Sequence, residues 1–257
     1  MGRGLVSVYL AAMCAVLLLP LGIVFAVSLD PGSNIQFPIS AVSSKWYRAI
    51  WANDTMMLAL WNSVIVGISS SVVAGLVSVP AAVAIASGSP FARKLIYPVL
   101  LAPFAIPWIV YGLAMVFFWG ALNLDLSLWT VFAAHTIIAI PYVLRVTLAV
   151  LVGMPPALLK AARSAGASPW RAFLHITLPY ITPGLIAGIS FAFVISFTNI
   201  PVSLFITTAN NITLPVAIFN YMVNNFEPVV ATASVIQVIV IGLILMATRR
   251  LGDGVRT

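Results

Sequence analysis

Residues 153–183 read GMPPALLKAARSAGASPWRAFLHITLPYITP, and the part that decides the fold is AARSAGASPWRAFLHITLP at 161–179. It carries Arg163 and Arg171, follows directly on Lys160, and is punctuated by Gly166, Pro169 and Pro179. Its surroundings are apolar. The chain of 257 residues is 62% hydrophobic and only 7% charged, whereas a soluble domain carries about a quarter charged residues. Such a chain cannot cover a water-facing surface, so it is read as an integral membrane protein with nearly all of its length in one domain. The basic stretch is then a break between membrane spans.

On either side of that break, apolar segments lie at 5–29, 56–86, 95–122, 128–152, 183–206 and 229–248. Each reaches the ~20 residues a helix needs to cross ~30 Å of hydrocarbon. Each is continuously apolar rather than alternating, which predicts helices and not a barrel. The first has the charged start of a signal peptide at Arg3 and an AVS triplet at 26–28. Its apolar run exceeds the ~7–15 residues of a signal core, so it is read as a retained helix. Cys14, the single cysteine, falls in this run and reads as a small buried hydrophobe.

The formal charge of +7 reads as topology rather than as affinity for nucleic acid. Arg3, Arg93, Lys94, Lys160, Arg163, Arg171, Arg249, Arg250 and Arg256 fall in the termini and the even-numbered loops, and Arg145 lies toward the same side on the fourth helix. Lys45 and Arg48 fall opposite, with Asp30, Asp54, Asp125 and Glu227; Asp253 joins the bases. Lys and Arg hold loops in the cytoplasm, so both termini are expected there.

Small residues recur every four positions at Gly67, Ser71 and Gly75, and at Gly184, Gly188, Ala192 and Ser196. That spacing lets helices approach closely in lipid, and packing within the chain is the expected use for the first set. Pro98, Pro103 and Pro107 are expected to break or bend the third helix. The two Asn-x-Thr triplets, at Asn53 and Asn211, carry no weight.

The basic break is itself structured. Pro155 and Pro156 suit a first helical turn, ALLKAARSA holds strong helix formers, and Gly166 stands where a left-handed residue would end the helix. Ser168 and Pro169 then suit the start of a second short helix with Trp170, Phe173 and Ile176 on one side, ended by Pro179 and Pro183 before the next span. Ala161, Ala162 and Ala165 give the first helix a smooth, basic-edged face. By spacing alone this face either slots into a cleft of another protein or rests on anionic lipid.

These residues resemble the cytoplasmic EAA loop of the membrane subunits of binding-protein-dependent ABC importers. The pattern is Glu-Ala-Ala, three residues, Gly, nine residues, Ile, one residue, Leu-Pro. Ala161, Ala162, Gly166, Ile176, Leu178 and Pro179 fit it at every spacing, and Lys160 stands where the family has Glu. NSVIVGISSSVVAGLVSVPAAVAIA from Asn62 resembles the start of the family's core domain, and LPVAIFNYM with the last helix and Arg249-Arg250 resembles the end of its polyamine-type branch. The resemblance implies a multi-pass protein of the bacterial inner membrane, all-α, with about six spans and the coupling loop between helices four and five. It implies a first helix and outer loop at 1–55, a permease domain at 56–250 and a cytoplasmic tail at 251–257. The implied partners are a cytoplasmic ATPase dimer, a second permease subunit (a paralogue or a second copy) and an extracytoplasmic solute-binding protein, besides the bilayer. Lys160, Ala161, Ala162, Arg163, Gly166 and Ala167 would then contact the ATPase. The solute would be small and polar, a polyamine or a related molecule.

No Gly-x-x-x-x-Gly-Lys-Ser/Thr stretch occurs, so ATP hydrolysis is expected in a partner chain and not here. His135 and His175 stand apart, with no metal or nucleophilic constellation; both read as packing or hydrogen-bonding residues, and no cofactor or metal is expected. Asn62, Ser63, Thr198, Asn199 and Gln237 are the polar residues able to line a path, with interhelical bonding as their commoner use. An ion-coupled carrier without an ATPase is the alternative, and it would need ionisable coupling groups at depth. An intramembrane enzyme would need clustered catalytic side chains, which are lacking.

Overall fold

The computed structural model describes residues 3–225 and 227–253, with side chains from Gly4 to Asn225 and from Glu227 to Arg250. Residues 254–257 of the expected tail, Arg256 among them, lie outside the described residues, and so do the side chains of Arg3 and Asp253. The described residues are helical almost throughout. In chain order the α-helices are α1 Arg3–Val27, α2 Lys45–Trp51, α3 Asp54–Ala86, α4 Tyr97–Leu101, α5 Trp108–Ala121, α6 Leu128–Val152, α7 Pro156–Ser164, α8 Pro169–Ala172, α9 Leu178–Phe197, α10 Ser203–Ile206, α11 Leu214–Asn225 and α12 Val229–Asp253. Five helical stretches are long and apolar enough to cross a membrane, and a bent pair, Ala92–Ala105 with Trp108–Ala121, makes a sixth if counted as one span. The pair bends by 108° at Ile106 and Pro107, where the expected proline break falls.

The chain forms two compact units, Met1–Met57 with Val216–Val240, and Leu58–Pro215 with Ile241–Thr257. In the first, α1 leaves nearly all its side chains exposed, Cys14 included. That corrects the buried reading of Cys14: an apolar helix in lipid needs no protein cover. The loop after α1 is nevertheless ordered by Asp30. Its carboxylate accepts from Ser40 Oγ at 2.7 Å and from the Gly32 N–H at 3.0 Å, and its carbonyl accepts from Trp46 Nε1 at 2.9 Å. Lys45 closes the ring by donating to the Pro31 carbonyl at 3.1 Å.

The second unit is built on α6 packed along α9. A Cβ added at Gly188 would lie 3.1 Å from the Val143 Cα, and one at Gly184 would lie 2.5 Å from Val150 Cγ2. The small-residue stripe of the fifth span therefore serves backbone contact with α6. Gly67 and Gly75 on α3 likewise admit Phe193 and Ile189 of α9, the packing within the chain expected of that stripe.

Two expectations fail at α9. Pro179 and Pro183 do not end the loop's second helix. α8 continues through a π-helical turn, Phe173–Thr177, into α9, so one helix runs from Pro169 to Phe197. A proline lacks an N–H and its ring strikes the carbonyl four residues earlier; widening the helix to an i→i+5 turn just ahead of Pro179 moves that carbonyl away. The same device recurs at Ala92–Ile96 ahead of Pro98. The fifth span also ends earlier than its apolar composition does. It stops at Phe197, and Thr198–Val202 break the chain before α10.

Candidate functional site

The loop between α6 and α9 is closed by its own backbone. Pro155 caps α7 with φ −58° and ψ 124°, and Pro156 occupies the first turn. At the other end Gly166 takes φ +80°. Its N–H donates to the Arg163 carbonyl, and the Ala167 N–H donates to the Ala162 carbonyl, both at 3.0 Å. These two crossed bonds are the Schellman closure, which satisfies orphan carbonyls of the last turn. Ser168 then accepts the Arg171 N–H on its hydroxyl at 3.3 Å and starts α8 with Pro169. The expected turn, caps and limits of the first loop helix are present.

The exposed face differs from the one read in sequence. Leu159 and Ala162 are half-buried, and Leu159 packs on the apolar cluster of Ala82, Leu144, Leu151 and Ile181. Lys160, Ala161, Arg163, Ala165 and Gly166 are exposed, and Ala167 is half-buried. The smooth outward surface is therefore Ala161 and Ala165, with Ala162 turned toward the protein. His175 Nδ1–H donates locally to the Arg171 carbonyl at 3.0 Å.

The polar residues of the spans divide into separate jobs. Asn62 donates to the Ile212 carbonyl at 3.0 Å, and Ser63 Oγ accepts the Leu214 N–H at 2.7 Å. Both pin the segment ahead of α11 to α3. Asn199 accepts the Val202 N–H at 2.9 Å and so caps the approach to α10. Its buried Nδ2 has no partner. Thr198 is exposed and bonds back to the Val194 carbonyl at 2.8 Å. Gln237 is half-buried on α12, in the first unit.

A buried polar centre does form around His135, which is 1% exposed. Nδ1 lies 2.8 Å from Ser196 Oγ and Nε2 lies 3.0 Å from Ser203 Oγ. Ser70 Oγ donates to Ser196 Oγ at 3.2 Å. A neutral imidazole accepts at one nitrogen and donates at the other, so both are occupied and neither is open to a ligand. The centre ties α3, α6, α9 and α10 together. Sequence reading gave His135 a bonding role but missed Ser70 and Ser203; Ser196 stood only in the small-residue stripe.

The described residues thus form a helical membrane bundle with a closed helical loop standing between two long spans. The chain belongs to the family described as binding-protein-dependent transport system inner membrane component, which matches residues 76–253. It is thus a multi-pass inner-membrane permease of the binding-protein-dependent ABC importers. It is similar to the spermidine/putrescine transport system permease protein PotC of Escherichia coli K12, 26% identical over 254 residues that cover 97% of this chain and 94% of PotC. The putrescine transport system permease protein PotI of the same organism is 25% identical, over 79% of this chain and 74% of PotI. Among solved structures, a bacterial ABC transporter that imports the acidic polysaccharide alginate superposes with a TM-score of 0.71 at 15% identity, covering 97% of this chain and 98% of that one. An inward-facing MetNI methionine ABC transporter superposes with a TM-score of 0.63 at 22% identity, over 79% and 99%. At these identities the two structures speak for the fold.

Proposed function

We propose that residues 157–168 are the coupling element of this permease, docking in a groove of a separate cytoplasmic ATPase and passing its closure to the transmembrane helices. The observation that carries the reading is the Schellman-closed α7 joined at Ser168 to one helix that runs to Phe197. A push on the loop then has a single helical lever into the bundle. Docking needs an exposed, narrow surface, and Ala161 with Ala165 supplies one, edged by Lys160 and Arg163. Lys160 replaces the acidic residue of the resembling loops; an ATPase groove with an acidic rim, or a partner permease carrying Glu, accommodates it.

The rest of the reading follows from the family. The chain pairs with a paralogue or a second copy, 56–250 forms the permease domain, 1–55 precedes it and 251–257 is a cytoplasmic tail. Both termini face the cytoplasm, a reading that the distribution of basic residues supports. A solute-binding protein delivers a small polar solute from the outer side. The curated relatives PotC and PotI are named for polyamines, a class of small polar solute. The test is Ala161→Asp in the assembled transporter. It should insert normally, lose co-purifying ATPase subunit and lose ATP-driven uptake. Unchanged co-purification and uptake would make α7 a lipid-resting helix instead.

A further inference from the structure

Arg145 stands inside a span. It lies on α6 seven residues before the helix ends at Val152, so about 10 Å along the axis from that end at ~1.5 Å per residue. It is exposed, and among the described residues no carboxylate pairs with it. Its guanidinium lies 5.7 Å from the centroid of the Phe104 ring. Phe104 meets Tyr142 edge-on at 4.8 Å, and Tyr142 meets Phe191 at 5.4 Å. Together with Ala149 these residues line an open cleft of about 600 Å³.

Three physical facts converge on this cleft. An arginine within a span faces protein or water rather than lipid tails, and it marks a pathway more often than a scaffold. Non-helical backbone at membrane depth is tolerated only where protein covers it or water fills a cavity. Phe104 belongs to the turn directly before the break at Ile106 and Pro107, and both of those residues are exposed. The broken span and the unpaired arginine thus share one face. Lastly, the chain's five acidic residues, Asp30, Asp54, Asp125, Glu227 and Asp253, all lie in loops or at helix ends. A cationic solute crossing along this chain would meet no carboxylate at depth and one arginine.

We infer that the cleft lines the solute path and that Arg145 engages an anionic group of the solute, a carboxylate or a phosphorus or sulfur oxyanion, rather than a polyamine ammonium. The inference rests on the permease reading. The planar guanidinium offers paired N–H donors that match such a group. Phe104 holds the fork by its ring face, so an approaching anion replaces no ion pair.

The test uses Ala149→Cys in a Cys14→Ala background, within the assembled transporter in native membrane vesicles. Ala149 is exposed one turn from Arg145 in the same cleft. Its thiol is labelled with anionic sulfonatoethyl methanethiosulfonate and with the cationic trimethylammonium-ethyl reagent. The expected rate ratio, anion over cation, exceeds that of the same protein with Arg145→Gln by roughly tenfold, and Arg145→Lys retains most of it. Any change in thiol ionisation affects both reagents alike and cancels in the ratio. A ratio unchanged by Arg145→Gln, or a faster cationic reagent, overturns the inference. Labelling by neither reagent shows that no water reaches position 149, so the cleft is not an aqueous path, and overturns the inference too. ATP-driven uptake by the unsubstituted transporter is measured separately; its absence would refute the permease reading whatever the labelling ratio.

Discussion

Replacing Gly166 perturbs one dihedral and nothing else. At φ +80° an L-residue crowds its own carbonyl, which costs about 1–2 kcal/mol. A Cβ built there meets no atom within 4 Å, so no clash adds to that figure. Gly166→Ala should therefore weaken the closed turn by about 1 kcal/mol, roughly a fivefold shift toward the open loop. Gly166→Val should weaken it by about 2 kcal/mol or more, because a β-branched residue is a genuine outlier at positive φ. Gly166→Asn should lie near the parent, since Asn takes this conformation most readily. The amides at 166 and 167 report the turn directly, because they donate to the Arg163 and Ala162 carbonyls. Hydrogen exchange at both, measured on the assembled transporter, should rise in the order Gly, Asn, Ala, Val, and ATP-driven uptake should fall in the same order. Exchange and uptake in Gly166→Val equal to the parent would refute the claim that the turn is held by this dihedral.

Two further outcomes follow from the side-chain hydrogen bonds of His135 and Asp30. His135→Leu removes the partner of Ser196 and Ser203; hydroxyls in helices can bond back to their own backbone, so the loss should be about 1–2 kcal/mol rather than a full buried-donor penalty, read as a lower melting temperature of the purified complex with insertion unchanged. Asp30 has its carboxyl held below the usual 3.8, first by the Ser40 hydroxyl and then by the Gly32 amide. A depressed carboxyl stabilises the fold above its unfolded value and loses that effect as pH falls through the folded one, so the loop 30–46 should resist protease at neutral pH and loosen only below pH 3.8, while Asp30→Asn loosens it at neutral pH.

The loop at 153–168 was legible because its chemistry is local. Gly166, Ser168 and the Pro155-Pro156 pair each act within four residues, and α6 was bounded at 128–152 by the apolar run between Ser127 and Gly153. What failed was relational. The Pro179 and Pro183 stop rule assumes a regular α-helix, and a π turn removes the conflict. Apolar composition runs on past Phe197, so it cannot register a break that Asn199 sets by capping Val202. Ala162 was put on the free face because a short alanine-rich helix has no polarity to show which side meets the core. Ser70 and Ser203 could not be found, since their neighbours lie 126 and 68 residues away in sequence.

The same relations locate where the chain can bend. From Ser168 to Phe197 the helix has no break, and its two prolines are absorbed without one. Along this length α9 approaches α6 closely: a Cβ at Gly188 would lie 3.1 Å from the Val143 Cα, so the pair resists separate tilting. The first interruptions available lie outside that pair, at Gly153–Pro155 and Gly166 before it and at Thr198–Val202 after it. α6 also carries Arg145. A displacement at the loop therefore reaches the Arg145 cleft through two locked helices, whereas Phe104, on the other wall, belongs to the bent pair with its own hinge at Ile106 and Pro107.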